Sequence, residues 1–303
     1  MPNKKLLTYN VKNKDILARA DIFINEKFEN FTRSQIKKLI ESQHIKINNK
    51  IIKPSTKIEK KDKITVTLPE FKSSELKPLN KYLDIKYENK DLIIINKPSG
   101  IVVHPSKGHQ NDTIINALIG MEIKFESYLG KPKPWLVHRL DKDTSGLLII
   151  AKNETTYNYL TALQKEREIK KQYLAIVQGI PKSPNAIIDA PIGRNKYNRK
   201  TMGITRDGRY ALTEYTITKS SKNMSLLNIT LLTGRTHQIR VHLKAIGHPI
   251  IGDILYGKKS KYAHRQMLHA YKLSFKDIQN NNITVVSEPE KDMKEFIEFY
   301  FNN

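Results

Sequence analysis

The residues from His138 to Gly146, HRLDKDTSG, form the densest group of polar and ionisable side chains in the sequence. They lie directly before the apolar segment Leu147 to Ala151, which is typical of a buried strand. A loop that leads into a rigid strand is a favourable place for a catalytic carboxylate. The residue types alone leave two interpretations open: a catalytic loop around Asp141, or a solvated turn closed by an ion pair between Arg139 and Asp141.

The net charge of the chain predicts a polyanionic partner. The 303 residues include 53 Lys and Arg against 30 Asp and Glu, which gives a formal net charge of +23. Basic side chains that neutralise phosphates release counterions, and this release favours binding at moderate salt. Lys is a weak indicator because Lys, Asn and Ile are abundant everywhere in the sequence. The 11 Arg residues are better indicators, because a guanidinium contacts a phosphate or a carboxylate at two points.

The segment from Arg194 to Arg209, RNKYNRKTMGITRDGR, contains four of these Arg residues. Its sixteen residues include six basic side chains and one acidic side chain. We predict an exposed loop that clamps phosphates, and the alternative is an ordinary charged loop. The residues predicted to make these contacts are Arg194, Arg199, Lys200, Arg206 and Arg209.

The composition excludes several classes of protein and site. The chain has no Cys, which excludes disulfides, thiolate zinc sites and a Cys nucleophile and fits a reducing cytoplasm. Its apolar runs are far shorter than the roughly 18 residues of a membrane-spanning helix, and the N-terminus lacks an apolar signal core. We therefore expect neither membrane insertion nor secretion. His237, His242 and His248 lack carboxylates at a recognised ligand spacing, so we predict no metal and no other cofactor.

The first 70 residues predict a small domain of their own. Thr32 can cap a helix that runs to about His44, with Gln35 as its capping-box partner. Residues 44–51 alternate around an Asn-Asn turn, and residues 63–68 alternate again, which indicates short strands. A polar stretch follows. The predicted domains are residues 1–70 and 81–303, with residues 71–80 as the linker.

The larger part has more strand signals than helix signals. A helix from Thr236, capped by that residue and ended by Gly247, is the clearest of the predicted helices. The pattern predicts an α+β protein, in which a small N-terminal domain precedes a larger catalytic domain built on an extended mixed or antiparallel sheet with flanking helices. The predicted strands are residues 92–96, 146–152, 172–178 and 226–233, and the predicted helices are residues 113–121, 153–167, 236–246 and 291–300.

The segment HRLDKDTSGLLIIAK closely resembles the signature of the ribosomal large subunit pseudouridine synthase family. Further blocks agree with this resemblance in order, and together they cover nearly all of residues 80–300. The HPSKGH portion of the first block favours the synthase D subgroup. The blocks are LIIINKPSGIVVHPSKGH at residues 92–109, KKQYLAIVQG at 170–179, LLTGRTHQIRVHLKAIGHPIIGDILYG at 231–257 and RQMLHAYKLSF at 265–275.

The resemblance implies roles for particular side chains. Asp141, the Asp of HRLD, occupies the position of the family's essential catalytic residue. Tyr173 occupies the position of the active-site Tyr, although a Tyr on a strand is more often a core residue. The resemblance implies that Arg235 pairs with the catalytic carboxylate and that Arg139 enters the space left by a flipped base. Whether Asp141 attacks the sugar, attacks the ring or removes a ribose proton stays open.

The N-terminal part resembles the RNA-binding domain first described in ribosomal protein S-four, through Arg19-Ala20-Asp21 and FTRSQIKKLIESQHIKINNK. The resemblance implies RNA contact, for which Arg33 and Lys37 are the candidates on the predicted helix. It departs from the usual pattern at His44, at Asn49 and at Lys61, where Gly is usual. The alternative is a small packing module without a role in RNA binding.

We expect an enzyme that isomerises uridines to pseudouridines in large-subunit ribosomal RNA or its assembly intermediates. It is expected to act as a monomer in the cytoplasm without a cofactor. One alternative keeps the chemistry and changes the substrate to transfer RNA. The other alternative is a non-catalytic RNA-binding assembly factor. Such a protein would be expected to have another residue in place of the HRLD Asp, the Tyr or the Arg, and this sequence retains all three.

Overall fold

In the computed structural model the chain forms two compact units, Met1–Glu75 and Leu76–Asn303. Each unit has its own core and is described by itself. Residues 71–75 of the predicted linker lie outside the described residues, so the predicted domain boundaries stay a prediction. The residues that the structure describes are 6–12, 18–28, 33–67, 76–106, 108–128, 131–132, 134–195, 197–198 and 201–302.

The N-terminal unit packs two helices against a small antiparallel sheet. The sheet order within the described residues is β1-β4-β2-β3. Apolar residues from both helices and the sheet, among them Phe23, Ile36, Ile40, Ile45 and Ile64, form its core. The elements are β1 Leu6–Asn10, α1 Ala20–Lys27, α2 Arg33–Glu41, β2 Ile45–Ile47, β3 Lys50–Ile51 and β4 Lys63–Thr67.

The predicted helix of this unit is present and ends earlier than expected, at Glu41 instead of about His44. Thr32 and the side chain of Gln35, which were predicted to cap it, lie outside the described residues. The turn between β2 and β3 is confirmed, since Asn48 and Asn49 have φ values of 49° and 64°. Asn adopts this left-handed conformation more readily than most residues, which explains how the turn forms without Gly.

The C-terminal unit is built on a large sheet with helices on both of its faces. Within the described residues its longest helix, α4, has 13 residues, and none of the helices is long and apolar enough to cross a membrane. The helices are α3 Ile114–Gly120, α4 Glu154–Glu166, α5 Gln238–Ala245 and α6 Lys291–Phe301. The strands are β5 Asp84–Glu88, β6 Leu92–Lys97, β7 Ser127–Tyr128, β8 Lys131–Pro132, β9 Trp135–Leu136, β10 Ser145–Ala151, β11 Lys170–Gln178, β12 Asn185–Asp189, β13 Ile192–Arg194, β14 Met202–Ile204, β15 Leu212–Ser221, β16 Met224–Leu231, β17 Leu268–Lys276 and β18 Asn282–Val286.

The described part of the main sheet has ten strands, of which eight follow the order β12-β15-β16-β11-β17-β10-β6-β5. Strand β18 pairs with β17, and β9 pairs with β10. Strands β10 and β17 run parallel, with Ser145 opposite His269, whereas the other pairs are antiparallel. The predicted α+β class with an extended mixed sheet is therefore confirmed.

Strand β10 is buried along its whole length because both faces of the sheet are covered. Leu148 and Ile150 belong to the core on one face, and Leu147 and Ile149 belong to the core on the other face, where α4 packs. Side chains of a strand alternate between faces, so two cores require the continuous apolar run that the sequence has here. The loop that carries Asp141 thus leads into a strand that is buried at every position.

The start of β10 is fixed by close contact with β17. Gly146 has φ 112°, and a β-carbon there would lie 2.3 Å from the carbonyl oxygen of Ala270, so only Gly fits. Next to it, Ser145 Oγ lies 2.9 Å from Nδ1 of the fully buried His269. His269 Nε2 donates to the Ser287 carbonyl at 2.8 Å, so Nδ1 accepts from the Ser145 hydroxyl and the ring is neutral.

We predict that this buried ring makes the C-terminal unit sensitive to acid. Burial lowers the pKa of His269 to about 4, whereas an unfolded chain takes the proton near pH 6.5. The unfolded state therefore binds more protons below pH 6.5, and the contribution of His269 to stability is lost as the pH falls. We expect a loss of about 2 kcal/mol between pH 7 and pH 5 from this group.

The test is urea denaturation at several pH values, followed by the fluorescence of Trp135, the single Trp of the chain, which lies buried in this unit. His269→Asn should flatten the pH dependence by about 2 kcal/mol over this interval. His104→Asn, at an exposed His, is the matched control and should keep the wild-type dependence. An unchanged pH dependence in His269→Asn would contradict the assignment.

Candidate active site

A cavity of about 440 Å³ opens in the C-terminal unit. Asp141 on the loop between β9 and β10, Tyr173 on β11 and Arg240 on α5 line it together. These three side chains come from separate segments that together span almost 100 residues of the sequence, and the sheet brings β10, β17 and β11 side by side. The structure therefore places Asp141 and Tyr173, two of the residues predicted from the sequence, in one cavity.

Arg240 connects Asp141 to a second, buried carboxylate. Its Nη1 donates to Asp141 Oδ2 at 2.9 Å, while Nε and Nη2 donate to the two oxygens of Asp253 at 2.7 and 2.9 Å. Asp253 is fully buried, and Asp141 is partly exposed to the cavity. Burial disfavours the charged guanidinium, but hydrogen bonds and charge from Asp253 and Asp141 outweigh this effect and raise the pKa of Arg240. Arg240 is thus a permanent cation that fixes one oxygen of Asp141.

The loop of Asp141 is also held by its backbone. Lys97 Nζ donates to the carbonyl of Lys142 at 2.9 Å, and the Gly100 N–H donates to the same carbonyl at 3.0 Å. Lys97 is fully buried, and its other two donors reach the carbonyls of Pro98 and Ile101. A buried ammonium with three carbonyl partners is a rigid support. The position of Asp141 is therefore fixed twice, at its side chain by Arg240 and at the adjacent backbone by Lys97 and Gly100.

Tyr173 retains its hydroxyl proton in this setting. Its side chain is 5% exposed, and burial, together with the nearby charge of Asp141, raises its pKa. A phenol in this state is a hydrogen-bond donor at neutral pH and a poor base. Its ring also belongs to the apolar core on that face of the sheet, so Tyr173 is both a core residue and a cavity residue.

His237, the residue directly before α5, lies near the second oxygen of Asp141. Its Nε2 is 3.9 Å from Asp141 Oδ1, and its Nδ1 is 2.8 Å from the Tyr256 hydroxyl. That hydroxyl also accepts the N–H of Met202 on β14 at 2.8 Å. The Tyr256 ring lies 5.0 Å from the Arg240 guanidinium carbon, within cation–π range. Tyr256 therefore links the β13–β14 hairpin to the site.

The predicted pairing of Arg235 with Asp141 is wrong. Arg235 precedes α5, and its Nε donates to the carbonyl of Tyr210 at 2.9 Å. The helix itself presents Arg240 to both Asp141 and Asp253, so the second Arg of the GRTHQIR segment makes the pair. Both Arg residues belong to one short motif, and the choice between them depends on where the chain folds Asp253, which the motif does not encode.

The predicted cap of α5 is also corrected. Thr236 does not cap the helix; His237 precedes Gln238 with φ 56°, a left-handed conformation. The Gln238 side chain closes the turn instead, by accepting the Arg235 N–H at 2.9 Å. The predicted end at Gly247 is confirmed, since Gly247 has φ 86° directly after the C-cap.

The residues predicted to contact RNA are distributed over both units. Arg139 is exposed at the cavity. Arg33 donates to Asp21 at 2.8 Å, and Lys37 lies 3.8 Å from Glu41, both at the surface of α2. Arg194, Arg206 and Arg209 lie on and beside the β13–β14 hairpin, whereas Arg199 and Lys200 lie outside the described residues.

Comparison with known proteins gives the same partition of the chain. Residues 91–245 match the family model of RNA pseudouridylate synthase, and residues 18–64 match that of the S4 domain. The chain is 37% identical over 282 residues to an uncharacterized RNA pseudouridine synthase of Bacillus subtilis, an alignment that covers 92% of this chain and 93% of the relative. It is 38% identical over 301 residues to the ribosomal large subunit pseudouridine synthase D of Borreliella burgdorferi, covering 96% and 92%.

A solved structure shares the fold of the C-terminal part. It is the human RNA pseudouridylate synthase domain containing 1, with a TM-score of 0.58 and 28% identity, covering 70% of this chain and 85% of that chain.

We predict that Arg240→Met strongly destabilises the C-terminal unit. The substitution leaves Asp253 as a fully buried carboxylate without its ion-pair partner, which costs about 3–5 kcal/mol. The measurement is urea denaturation followed by Trp135 fluorescence. Arg235→Met is the matched control from the same motif, and it should cost at most about 1 kcal/mol because it removes one hydrogen bond to a carbonyl. Equal losses in the two variants would contradict the account of Arg240.

Proposed function

This chain belongs to the RNA pseudouridylate synthase family, and we propose that it isomerises uridines of large-subunit ribosomal RNA, with Asp141 as the catalytic residue. Relatives that match it over most of its length at 34–38% identity are named ribosomal large subunit pseudouridine synthase D, which supports this substrate. The proposed enzyme works in the cytoplasm as a monomer on the RNA or its assembly intermediates. The observation that supports the site best is the Asp141 carboxylate, which faces the cavity with one oxygen bound by Arg240.

Pseudouridine formation is an isomerisation. The bond between uracil nitrogen 1 and ribose carbon 1′ breaks, the base turns, and ring carbon 5 bonds to carbon 1′. The proton on carbon 5 leaves, and nitrogen 1 gains a proton, so atoms and electrons balance without an oxidant or an energy source. The site must therefore supply a carboxylate near the sugar or base, a pocket for the detached base and groups that move protons.

Asp141 offers one oxygen for this chemistry. Its Oδ2 accepts from Arg240, while Oδ1 has no hydrogen-bond partner among the described residues and has His237 Nε2 at 3.9 Å. A carboxylate fixed in this way is positioned for attack on the sugar, for attack on the ring or for removal of a ribose proton. The same geometry serves each of these three routes.

Tyr173 and Arg139 have complementary proposed tasks. Tyr173 is a protonated phenol in the cavity, so its ring can face the uracil and its hydroxyl can donate a hydrogen bond. Arg139 is exposed two residues before Asp141, where its planar guanidinium can fill the space that a flipped uridine leaves in the RNA. Unstacking a base requires such a substitute, because the neighbouring bases lose a stacking partner.

RNA contact is proposed for two further surfaces. The β13–β14 hairpin carries Arg194 opposite Met202, and Met202 is tied to the site through Tyr256. Tyr197 at its tip is fully exposed, and an exposed aromatic ring among cations is suited to stacking on a base. In the N-terminal unit Arg33 and Lys37 present charge on α2. These cations would position the RNA through its phosphates.

The substrate is tested by mapping pseudouridines in cells that lack the gene and in transcripts incubated with the purified protein. The proposal expects uridines of large-subunit ribosomal RNA to be converted in transcripts and to be lost from the map of the deleted strain. A loss confined to transfer RNA would instead assign the same chemistry to transfer RNA. Binding of ribosomal RNA without any conversion would indicate a non-catalytic assembly factor.

We predict that Asp141→Asn abolishes pseudouridine formation and leaves RNA affinity within a few-fold of the wild type. The amide keeps the shape of the side chain but removes the charge that Arg240 orients. Single-turnover conversion and RNA binding are measured on the same transcript. Asp143→Asn is the matched control, because Asp143 lies in the same loop and the substitution removes the same charge outside the cavity lining. Measurable turnover by Asp141→Asn would remove Asp141 from the catalytic role.

We predict that Lys37→Gln lowers the salt dependence of RNA binding by about one unit of the logarithmic slope, as the loss of one phosphate contact requires. The measurement is RNA affinity from low to moderate salt. Lys60→Gln removes the same charge from an exposed turn of the same unit and should leave the slope closer to that of the wild type. Equal slopes for all three proteins would show that α2 does not contact phosphate through Lys37.

A further inference from the structure

Lys171 is a buried ammonium in the wall of the catalytic cavity, and the reaction scheme above assigns it no task. It lies on β11 two residues before Tyr173, so both side chains point to the same face of the sheet. Lys171 is 5% exposed and lines the cavity together with Tyr173 and Asp141. Lys is rarely buried without a partner, because removing its charge from water costs several kcal/mol.

The hydrogen bonds of Lys171 are incomplete, in contrast to those of the other buried Lys beside the site. Lys97 directs its three donors to three carbonyls at 2.7 to 2.9 Å. Lys171 donates to one neutral partner, Gln164 Oε1, at 3.3 Å. It forms no ion pair with a carboxylate among the described residues, and burial lowers its pKa to about 8. Its remaining donors therefore lack a described protein acceptor.

The space beside this ammonium is open. A β-carbon added to Gly234, which also lines the cavity, would have Lys171 Nζ as its only described neighbour within 4 Å, at 3.9 Å. Gly234 thus leaves room for a ligand atom next to Nζ, and a larger residue would occupy that room. An amine with unused donors and free space in front of it is arranged to bind an acceptor that enters the cavity.

His138 lines the same cavity as Lys171. His138 Nε2 accepts the N–H of Ile149 at 3.1 Å, so the ring proton is on Nδ1. Burial, and then the charge of Lys171, lower the pKa of His138 to about 3, and the ring stays neutral. His138 therefore brings no negative charge to the cavity wall, and the unused donors of Lys171 favour an electron-rich oxygen.

The depth of Lys171 indicates which part of a nucleotide it meets. The exposed cations on and beside the β13–β14 hairpin, such as Arg206, are proposed to contact phosphates, which stay on the RNA backbone outside the pocket. The base is the part of a flipped nucleotide that enters the pocket. Uracil presents two carbonyl oxygens as acceptors. When the bond to ribose breaks, the electron pair stays with the base, and the resulting negative charge is shared with these oxygens.

We propose that Lys171 Nζ donates a hydrogen bond to a carbonyl oxygen of the uracil and stabilises the negative charge that the base acquires as it detaches from the ribose. This inference rests on the proposed function, because it concerns the same cavity and the same reaction. Lys171 remains protonated throughout, and the proton that leaves ring carbon 5 and the proton that nitrogen 1 gains are handled by other groups. Stabilisation that is strongest after bond cleavage accelerates the step instead of merely tightening binding.

The first experiment compares Lys171→Met with Lys170→Met, the exposed neighbour on the same strand. Lys171→Met should lower single-turnover conversion about 100-fold, in the range for loss of one preorganised donor. RNA affinity should stay within a few-fold, and the salt slope should be unchanged. Lys170→Met should keep the wild-type rate. A wild-type rate in Lys171→Met would overturn the proposal, and so would a salt slope reduced by one unit, which would indicate a phosphate contact.

The second experiment identifies the contact itself. Transcripts carry 2-thiouridine or 4-thiouridine at the target position, since sulfur is a much weaker acceptor than oxygen. For one of the two, the thio substitution and Lys171→Met should not be additive, because each removes the same hydrogen bond. Additive losses for both transcripts would overturn the proposal. Lys171→Gln provides a second variant if the Met variant does not fold. Failure of the wild type to convert the unmodified transcript would reject the proposed function, which is a different outcome from the loss of this contact alone.

Discussion

The site depends on one interaction, the bridge that Arg240 makes between Asp141 and Asp253. Asp253 is fully buried and binds two of the guanidinium donors, which fixes the plane of Arg240 before any substrate arrives. The third nitrogen, Nη1, donates to Asp141. Burying such an ion pair costs desolvation free energy, and removing one partner leaves an unpaired buried charge. The pair therefore positions the Asp141 carboxylate more than it stabilises the fold. The bridge fixes Oδ2 of Asp141 and leaves Oδ1 in a defined position, available for the reaction.

The rest of the unit supports this bridge from several directions. The apolar strand β10 and its close contact at Gly146 anchor the loop from one end, and the Lys97 ammonium holds its backbone. On the other side, Tyr256 packs on Arg240 and connects His237 to the basic hairpin. The hairpin is therefore linked by hydrogen bonds, through Tyr256, to His237, the group beside Asp141.

Much of the fold and part of the site could be predicted from the sequence. Apolar runs such as Leu147 to Ala151 predicted the central strands, because two-sided burial requires them, whereas the strand order depends on distant pairings that no local pattern encodes. Asp141 and Tyr173 were found by resemblance. Arg235 was chosen over Arg240 because the partner Asp253 is defined only in the folded chain. Lys171 was missed because, in so basic a sequence, a buried Lys looks like any surface Lys.

The most direct test is a double-mutant cycle on single-turnover pseudouridine formation with Asp253→Asn and Arg240→Lys. Asp253 is buried behind Arg240 and does not line the cavity. Its Oδ1 also accepts the backbone N–H groups of Leu255 and Tyr256, and an Asn side chain can still accept both, so Asp253→Asn mainly removes the charge that faces Arg240. We predict that Asp253→Asn alone lowers the rate about tenfold or more, and that the double variant is no slower than Arg240→Lys. A wild-type rate for Asp253→Asn, or losses that simply multiply, would contradict the claim that the bridge positions Asp141.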